Sequence, residues 1–269
     1  LNAIVCIKQV PDTEAPVKVD RAQGKLLLEE MPTMLNAFDE YAIEEALLLR
    51  EKFGGKVTAL CMGPADATDA LKKALAMGVD EAILLSDERF VGADAWATAY
   101  ALAQAVRKVG EYDLVLFGKQ TTDGSSGIVG PSVAQHLDVP ALTYVFKIRE
   151  IDFDDTKITV ERLLEGRREV AASALPAVVT VVKDINQPRY PTLMGIRKAS
   201  KREIPVWTAD DLVAAGANAS GFGEEGSPSK ILRVDLPPAR GGQVELIEGE
   251  TPEEQASALA DHLLGLKVL

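Results

Sequence analysis

The sequence predicts an α/β fold, a mostly parallel sheet with helices on both faces and an extended C-terminal arm and helix. Three observations carry that prediction. The first half alternates short apolar runs with longer helix-compatible stretches four times. Runs such as Ala3 to Ile7 and Leu114 to Phe117 are continuously apolar, as suits strands covered on both sides. With 269 residues, 47% of them hydrophobic, the chain suits one large α/β domain, or a large domain with a small appendage.

In chain order, Ala3 to Ile7 is the first strand, ended by Lys8 and Gln9, with a loop from Pro11. Val17 to Asp20 and Lys25 to Leu28 read as a hairpin around Ala22–Gln23–Gly24. Asn36 is placed to cap a helix that runs from Phe38 to about Phe53. Asp39 and Glu40 lie in its first turn, where acids favour the helix dipole. Ile43, Ala46, Leu47 and Arg50 keep the 3.6-residue rhythm, and Gly54–Gly55 ends it. Val57 to Met62 is a strand turned at Gly63–Pro64, Asp66 to Met77 a helix closed by Gly78, Glu81 to Leu85 a strand, and Asp94 to Val109 an alanine-rich helix. The strand at Leu114 leads through a glycine-rich turn, Gly118 to Gly130, into a helix bearing Val133, Ala134 and Leu137.

From Ala141 the rhythm changes. Leu142 to Ile151, Lys157 to Leu163 and Arg167 to Ala172 predict an antiparallel or mixed edge, and Ala177 to Val182 a strand that returns to the core. Asn186 to Pro191 is a constrained loop, Ile196 to Lys201 one or two helical turns, and Thr208 to Ala214 a capped helix. Ala215 to Ser229, rich in Gly, Ala and Ser, reads as a linker or arm rather than core. Ile231 to Leu236 and Gln243 to Ile247 are short strand candidates. A last helix follows Thr251, with Pro252 at N1, Glu254 at N3 and an apolar face of Ala256, Leu259, Ala260 and Leu263. That face packs either on its own domain or on another subunit.

Net charge of −12 argues against a general nucleic-acid binder. No apolar run reaches membrane-spanning length, so no membrane insertion is expected. The first ten residues read as a strand rather than a secretion signal. Cys6 and Cys61 sit in apolar runs as buried, reduced thiols, which favours a cytoplasmic compartment. Two cysteines without a histidine cluster make no structural zinc site. His136 and His262 fall in helices, and no nucleophilic triad is legible.

Two stretches stand out. Gly118 to Gly130 fits neither GxGxxG nor GxxxxGK[ST], yet strand, flexible turn and helix is the layout of a ligand site at the carboxyl edge of a parallel sheet. Gly124, Gly127 and Gly130 permit close backbone approach, Ser125 and Ser126 offer hydroxyls, and the helix start offers N–H groups to phosphate. An ordinary strand–helix loop is the alternative. Asp123 is either a partner for ribose or base, or a turn-former; Cys6 and Met62 either touch a flat ring or pack in the core. Asn186 to Arg202 is basic in an acidic chain, braced by Pro188 and Pro191, with Leu193 and Met194 apolar between polar stretches. It is either a partner-docking loop or a proline-braced connection.

Residues Ala174 to Ile204, ALPAVVTVVKDINQPRYPTLMGIRKASKREI, resemble the signature of the electron transfer flavoprotein beta subunit family. IVCIKQVPD at Ile4, NAFDEYAIEEAL at Asn36, MGPADATDALKKALAMGVDEAILL at Met62 and GKQTTDGSSGIVGPSVAQHLDVP at Gly118 are similar to that family too, so the resemblance covers nearly the whole chain. It implies a Rossmann-like fold of the adenine-nucleotide alpha-hydrolase-like kind, and a heterodimer whose alpha subunit makes most contacts to the FAD that carries electrons. Residues 1–214 would be the nucleotide-binding domain and 215–269 an arm and helix packing on the partner.

The beta site would hold a structural AMP or, in electron-bifurcating members, a second FAD that oxidises NADH. The resemblance places Cys6, Asn36, Met62, Asp123 and the segment Gly124, Ser125, Ser126, Gly127, Ile128, Val129 and Gly130 at that nucleotide. It makes Leu193 the anchor of a dehydrogenase-docking loop, with Arg189, Tyr190 and Met194 around it. Asp123–Gly124 and Val129–Gly130–Pro131 follow the bifurcating form, whereas Ser125, Gly127 and Ile128 do not. AMP is the expected ligand, and the implied role is an electron carrier between flavin dehydrogenases and an acceptor such as a quinone oxidoreductase. A non-redox adenine-nucleotide-binding regulatory protein is the remaining alternative.

Overall fold

The computed structural model describes residues 1–16, 18–20, 25–27, 31–234, 241 and 244–268. In chain order its elements are β1 (Asn2–Ile7), β2 (Gln9–Pro11), β3 (Val19–Asp20), β4 (Lys25–Leu26), β5 (Thr33–Leu35), α1 (Ala37–Phe53), β6 (Lys56–Met62), α2 (Thr68–Met77), β7 (Glu81–Leu85), α3 (Ala95–Val109) and β8 (Leu114–Gly118). Then come α4 (Val129–Leu137), β9 (Ala141–Asp152), β10 (Lys157–Leu164), β11 (Arg167–Ala174), β12 (Ala177–Val181), α5 (Leu193–Ala199), β13 (Val206–Trp207), α6 (Ala209–Ala214) and α7 (Pro252–Gly265).

Nine strands form one sheet in the order β11-β10-β9-β12-β8-β1-β6-β7-β13. β10 alone is reversed, pairing antiparallel with β9 on one side and β11 on the other, and the other eight strands run in one direction. The expected parallel sheet with an antiparallel edge is therefore present. Side chains of a strand alternate between faces, which divides β1 between two apolar layers. Ala3, Val5 and Ile7 pack with Ile43 and Leu47 of α1 and Leu71 of α2. Ile4 and Cys6 pack with Leu102 and Val106 of α3 and Val133 of α4. From β1 the chain moves outward through β6 and β7, then returns across α3 to β8 on the other flank of β1. The strand order reverses there, which leaves a crevice beyond the carboxyl ends of β1 and β8.

Three expectations need correction. Ala215 to Ser229 is not a bare linker, because Ala217 and Phe222 are buried in the core. Phe222 packs edge-on against Phe90 with ring centroids 5.2 Å apart, and Asn218 N donates to Tyr100 Oη at 2.7 Å. One compact unit thus extends through Val234, and a second spans Asp235–Leu269. The strands expected after Ile231 and Gln243 do not form over 231–234 or 244–247, and 235–236 and 243 lie outside the described residues. The helix expected from Ile196 begins at Leu193, because Thr192 Oγ1 accepts the Gly195 N–H at 2.9 Å and caps it there.

The early hairpin is present as the β3–β4 pair, while Val17, its turn at 22–24 and Leu28 lie outside the described residues. In the second unit, Thr251 Oγ1 accepts the Glu254 N–H at 3.2 Å and caps α7, none of whose described residues is buried. No described helix is long and apolar enough to cross a membrane.

Candidate functional site

A cavity of about 350 Å³ opens at the crevice, beyond the ends of β1, β6 and β8. Cys6, Met62, Phe90, Leu102 and Phe117 give it an apolar wall. Lys8, Lys119, Gly124, Ser126, Gly127, Val129 and Gly130 give it a polar, glycine-rich rim. Gly130 lets the first turn of α4 lie directly on β12, since a Cβ there would stand 2.7 Å from Thr180 Cγ2. Gly127 has φ +65°, a left-handed turn that glycine adopts without penalty.

Of the residues singled out in the sequence, Cys6, Met62, Gly124, Ser126, Gly127, Val129 and Gly130 line this cavity. Four others stand beside it. Asn36 is fully buried but does not cap α1 with its side chain. Its Nδ2 donates to Gln120 O at 3.0 Å and its Oδ1 accepts the Thr122 N–H at 3.2 Å. A side-chain amide carries donor and acceptor together, so it can pair with the loop backbone as a strand would, and it ties the rim to the start of α1.

Asp123 accepts from Lys8 Nζ at 2.5 Å across the rim. Burial works to raise its carboxyl, but the hydrogen bonds from Lys8 and Thr121 outweigh burial and hold it below the ordinary carboxylate value. Ser125, at φ +49°, closes the turn by donating its N–H and hydroxyl to Thr121 O at 2.9 and 3.2 Å. Ile128 is exposed just before α4. The Thr122 hydroxyl is buried in this loop without a hydrogen-bond partner.

Sequence reasoning missed Asp39 and the wall at Gly92 to Ala95, which line the cavity, and it covered Lys119 only as part of the Gly118 to Gly130 stretch. Asp39 reads as a dipole partner for α1, yet it is buried, and its carboxylate accepts from Lys8 N at 2.8 Å and Gly118 N at 3.2 Å. Burial pushes it up to about 7, against the lowering effect of those donors and of Asn36. Burial also raises both thiols, Cys61 to about 12, so neither is poised as a nucleophile. Asp94 caps α3 through Trp96 N and Ala97 N and also accepts from Ser229 N and Oγ, which fixes the cavity wall to residues 227–229. Among the described residues, no group of His, Cys, Asp and Glu is arranged to hold a metal ion.

The second stretch presents its residues in two directions. Arg189 faces inward onto α1: Nε and Nη2 reach the two Glu44 oxygens at 2.8 and 2.9 Å, and Nη1 reaches Glu51 at 2.6 Å. Asn186 Nδ2 adds bonds to Tyr41 O and Glu45 Oε2, both at 3.0 Å. Tyr190, Leu193 and Met194 point outward, 94, 87 and 83% exposed. The expected docking set thus separates into an anchor, Arg189, and a projecting apolar patch.

Fold and cavity define a class, an open α/β protein with a ligand-sized crevice where its strand order reverses. Comparison with known proteins narrows it. A family model, the electron transfer flavoprotein domain, matches residues 25–212. The electron transfer flavoprotein subunit beta of Thermoanaerobacterium thermosaccharolyticum is 44% identical over 238 residues, 88% of each chain. Protein FixA of Bradyrhizobium diazoefficiens is 42% identical over 265 residues, 97% of this chain and 90% of FixA. The CarD subunit of the caffeyl-CoA reductase–Etf complex of Acetobacterium woodii is 41% identical over 264 residues, 98% of each chain. The chain belongs to the electron transfer flavoprotein beta subunit family.

Proposed function

We propose that this chain pairs with an electron transfer flavoprotein alpha subunit, and that its own cavity holds AMP as a structural ligand. The heterodimer carries electrons between flavin dehydrogenases and an acceptor such as a quinone oxidoreductase. The observation that carries the reading is the cavity at the strand-order reversal, apolar on one wall and glycine-rich on its rim. Its residues fit an adenylate. Met62, Phe90 and Leu102 offer apolar surface to a base. Gly127 and Gly130 leave the backbone open, and Lys119 adds positive charge for a phosphate.

The redox chemistry would belong to the FAD held mainly by the partner. This chain's residues bind and orient, in accord with the absence of a catalytic triad among its candidates. Tyr190, Leu193 and Met194 form the surface offered to dehydrogenases, and of the arm and helix expected from residue 215, the part after Val234 is what packs on the alpha subunit in this reading. The protein then works as a carrier rather than as an enzyme, in the cytoplasm.

A second reading, a bifurcating component with a second FAD in this cavity that oxidises NADH, is favoured by Asp123–Gly124 and Val129–Gly130–Pro131. Cofactors extracted from the purified heterodimer decide between the two. One FAD and one AMP per heterodimer support the carrier, and two FADs overturn it. Purification without any flavoprotein partner would instead favour a non-redox nucleotide-binding regulator.

A further inference from the structure

One buried charge at the cavity has no part in that reading. β1 and β8 run in register from Ala3 opposite Leu114 to Cys6 opposite Phe117, and there the ladder between them stops. Where parallel strands part, the next backbone N–H groups need other acceptors. Here both find one carboxylate: Lys8 N donates to Asp39 Oδ2 at 2.8 Å and Gly118 N to Asp39 Oδ1 at 3.2 Å. The fit is close enough to require a glycine, because a Cβ on Gly118 would stand 2.6 Å from Asp39 Oδ1. From the two clamped strand ends leave Lys8, which meets Asp123, and Lys119, whose Nζ lies 5.2 Å from the centre of the Phe38 ring. Both lysines line the cavity.

We propose that Asp39 is a positioning residue for the adenylate: its ionised carboxylate holds the ends of β1 and β8 together and so fixes Lys8 and Lys119 for a phosphate-bearing ligand. The inference rests on the reading that the cavity takes an adenylate. A carboxylate accepts both N–H groups. A protonated carboxyl, or an amide, accepts well from one and turns its own donor toward the other. Burial raises Asp39 to about 7, so the clamp changes state near neutrality. The groups around it are Lys8 just past the end of β1, Cys6 on β1 and Cys61 on β6, with Lys119 lining the same cavity beyond β8 and Asp123 paired to Lys8. The thiols stay protonated and Asp123 stays ionised over that range, so neither supplies the transition.

The test is calorimetric titration of AMP into the nucleotide-stripped heterodimer, wild type and Asp39→Asn, between about pH 6 and about pH 8. Adenosine 5′-sulfate is titrated in parallel, since a phosphomonoester itself loses a proton near pH ~6. The expected result is wild-type affinity for the sulfate falling about tenfold from the upper to the lower pH, and Asp39→Asn binding about tenfold more weakly at the upper pH with a flat profile. Equal affinity of variant and wild type, or the same pH slope in both, would overturn the positioning role. Should Asp39→Asn fail to fold, the wild-type sulfate profile decides alone, and a flat one overturns the proposal. Wild type that binds no adenylate at any pH overturns the functional reading and this one with it.

Discussion

Replacing Arg189 with Met tests whether the projecting loop owes its position to α1. The guanidinium makes a two-pronged contact with Glu44, whose side chain is only 6% exposed, while that of Arg189 is 33% exposed. Removing one partner of a fully buried pair costs roughly 3–5 kcal/mol, because the other charge is left unpaired. An exposed pair contributes about 0–1 kcal/mol, so the Glu51 contact adds little. The Glu44 pair lies between these limits. Glu44 keeps the backbone N–H of residue 189 at 3.0 Å, and Met replaces the apolar stem, which places the loss at about 2–3 kcal/mol.

Because a surface loop can open without global unfolding, the loss should appear first as local exchange. Amide hydrogen exchange over residues 186–199 of the heterodimer is expected to speed up by a factor of about 30–150, the equivalent of that free energy, while β1 and β8 stay protected. Adding Glu44→Gln should recover part of the loss, since the unpaired carboxylate is then gone. Wild-type exchange rates in Arg189→Met, or full additivity with Glu44→Gln, would refute the anchoring argument.

Leu193→Ala is expected to slow electron exchange with a dehydrogenase while nucleotide content stays intact, because Leu193 is exposed and does not line the cavity. Stopped-flow rates unchanged across partner concentrations would count against a docking role. Asp94→Ala removes the α3 cap and both bonds to Ser229. It should cost about 1 kcal/mol in stability and hasten limited proteolysis after residue 229. Cleavage at the wild-type rate would show that Asp94 does not tether that segment.

The βα alternation was legible because the main-sheet strands of the first half, β1, β6, β7 and β8, are mostly apolar runs and the long helices are bounded by capping positions or glycine. Contacts that depend on strand order were not. Asp39 looks like any acid in a first helical turn; its true partners, Lys8 N and Gly118 N, meet it only once β8 returns beside β1. Asn36 sits at a capping position, but the loop at 120–122 claims both ends of its amide. In the sequence Arg189 reads with its basic neighbours as surface, whereas its carboxylates lie 145 and 138 residues earlier. The segment after Ala214 has the composition of a linker, and a single aromatic, Phe222, reverses that by entering the core between Phe90 and Tyr100. Composition averages over a window; one buried ring decides whether that window is fixed.

Most of these contacts converge on α1. The start of α1 brings Asp39 to the cavity, Asn36 just before it holds the rim loop, and farther along Glu44, Glu45 and Glu51 hold Asn186 and Arg189. At 1.5 Å per residue, the span from Asp39 to Glu51 is about 18 Å. Glu44 and Glu45 are buried on a helix whose apolar side already packs on the sheet, an arrangement that costs free energy unless partners repay it. The loop supplies those partners. One element thereby sets the distance between the proposed nucleotide and the proposed docking patch, independently of the second unit. A lesion that shifts α1 must disturb both sites together, whereas Leu193→Ala reaches only one; that difference separates a strut from two neighbours that happen to share a helix.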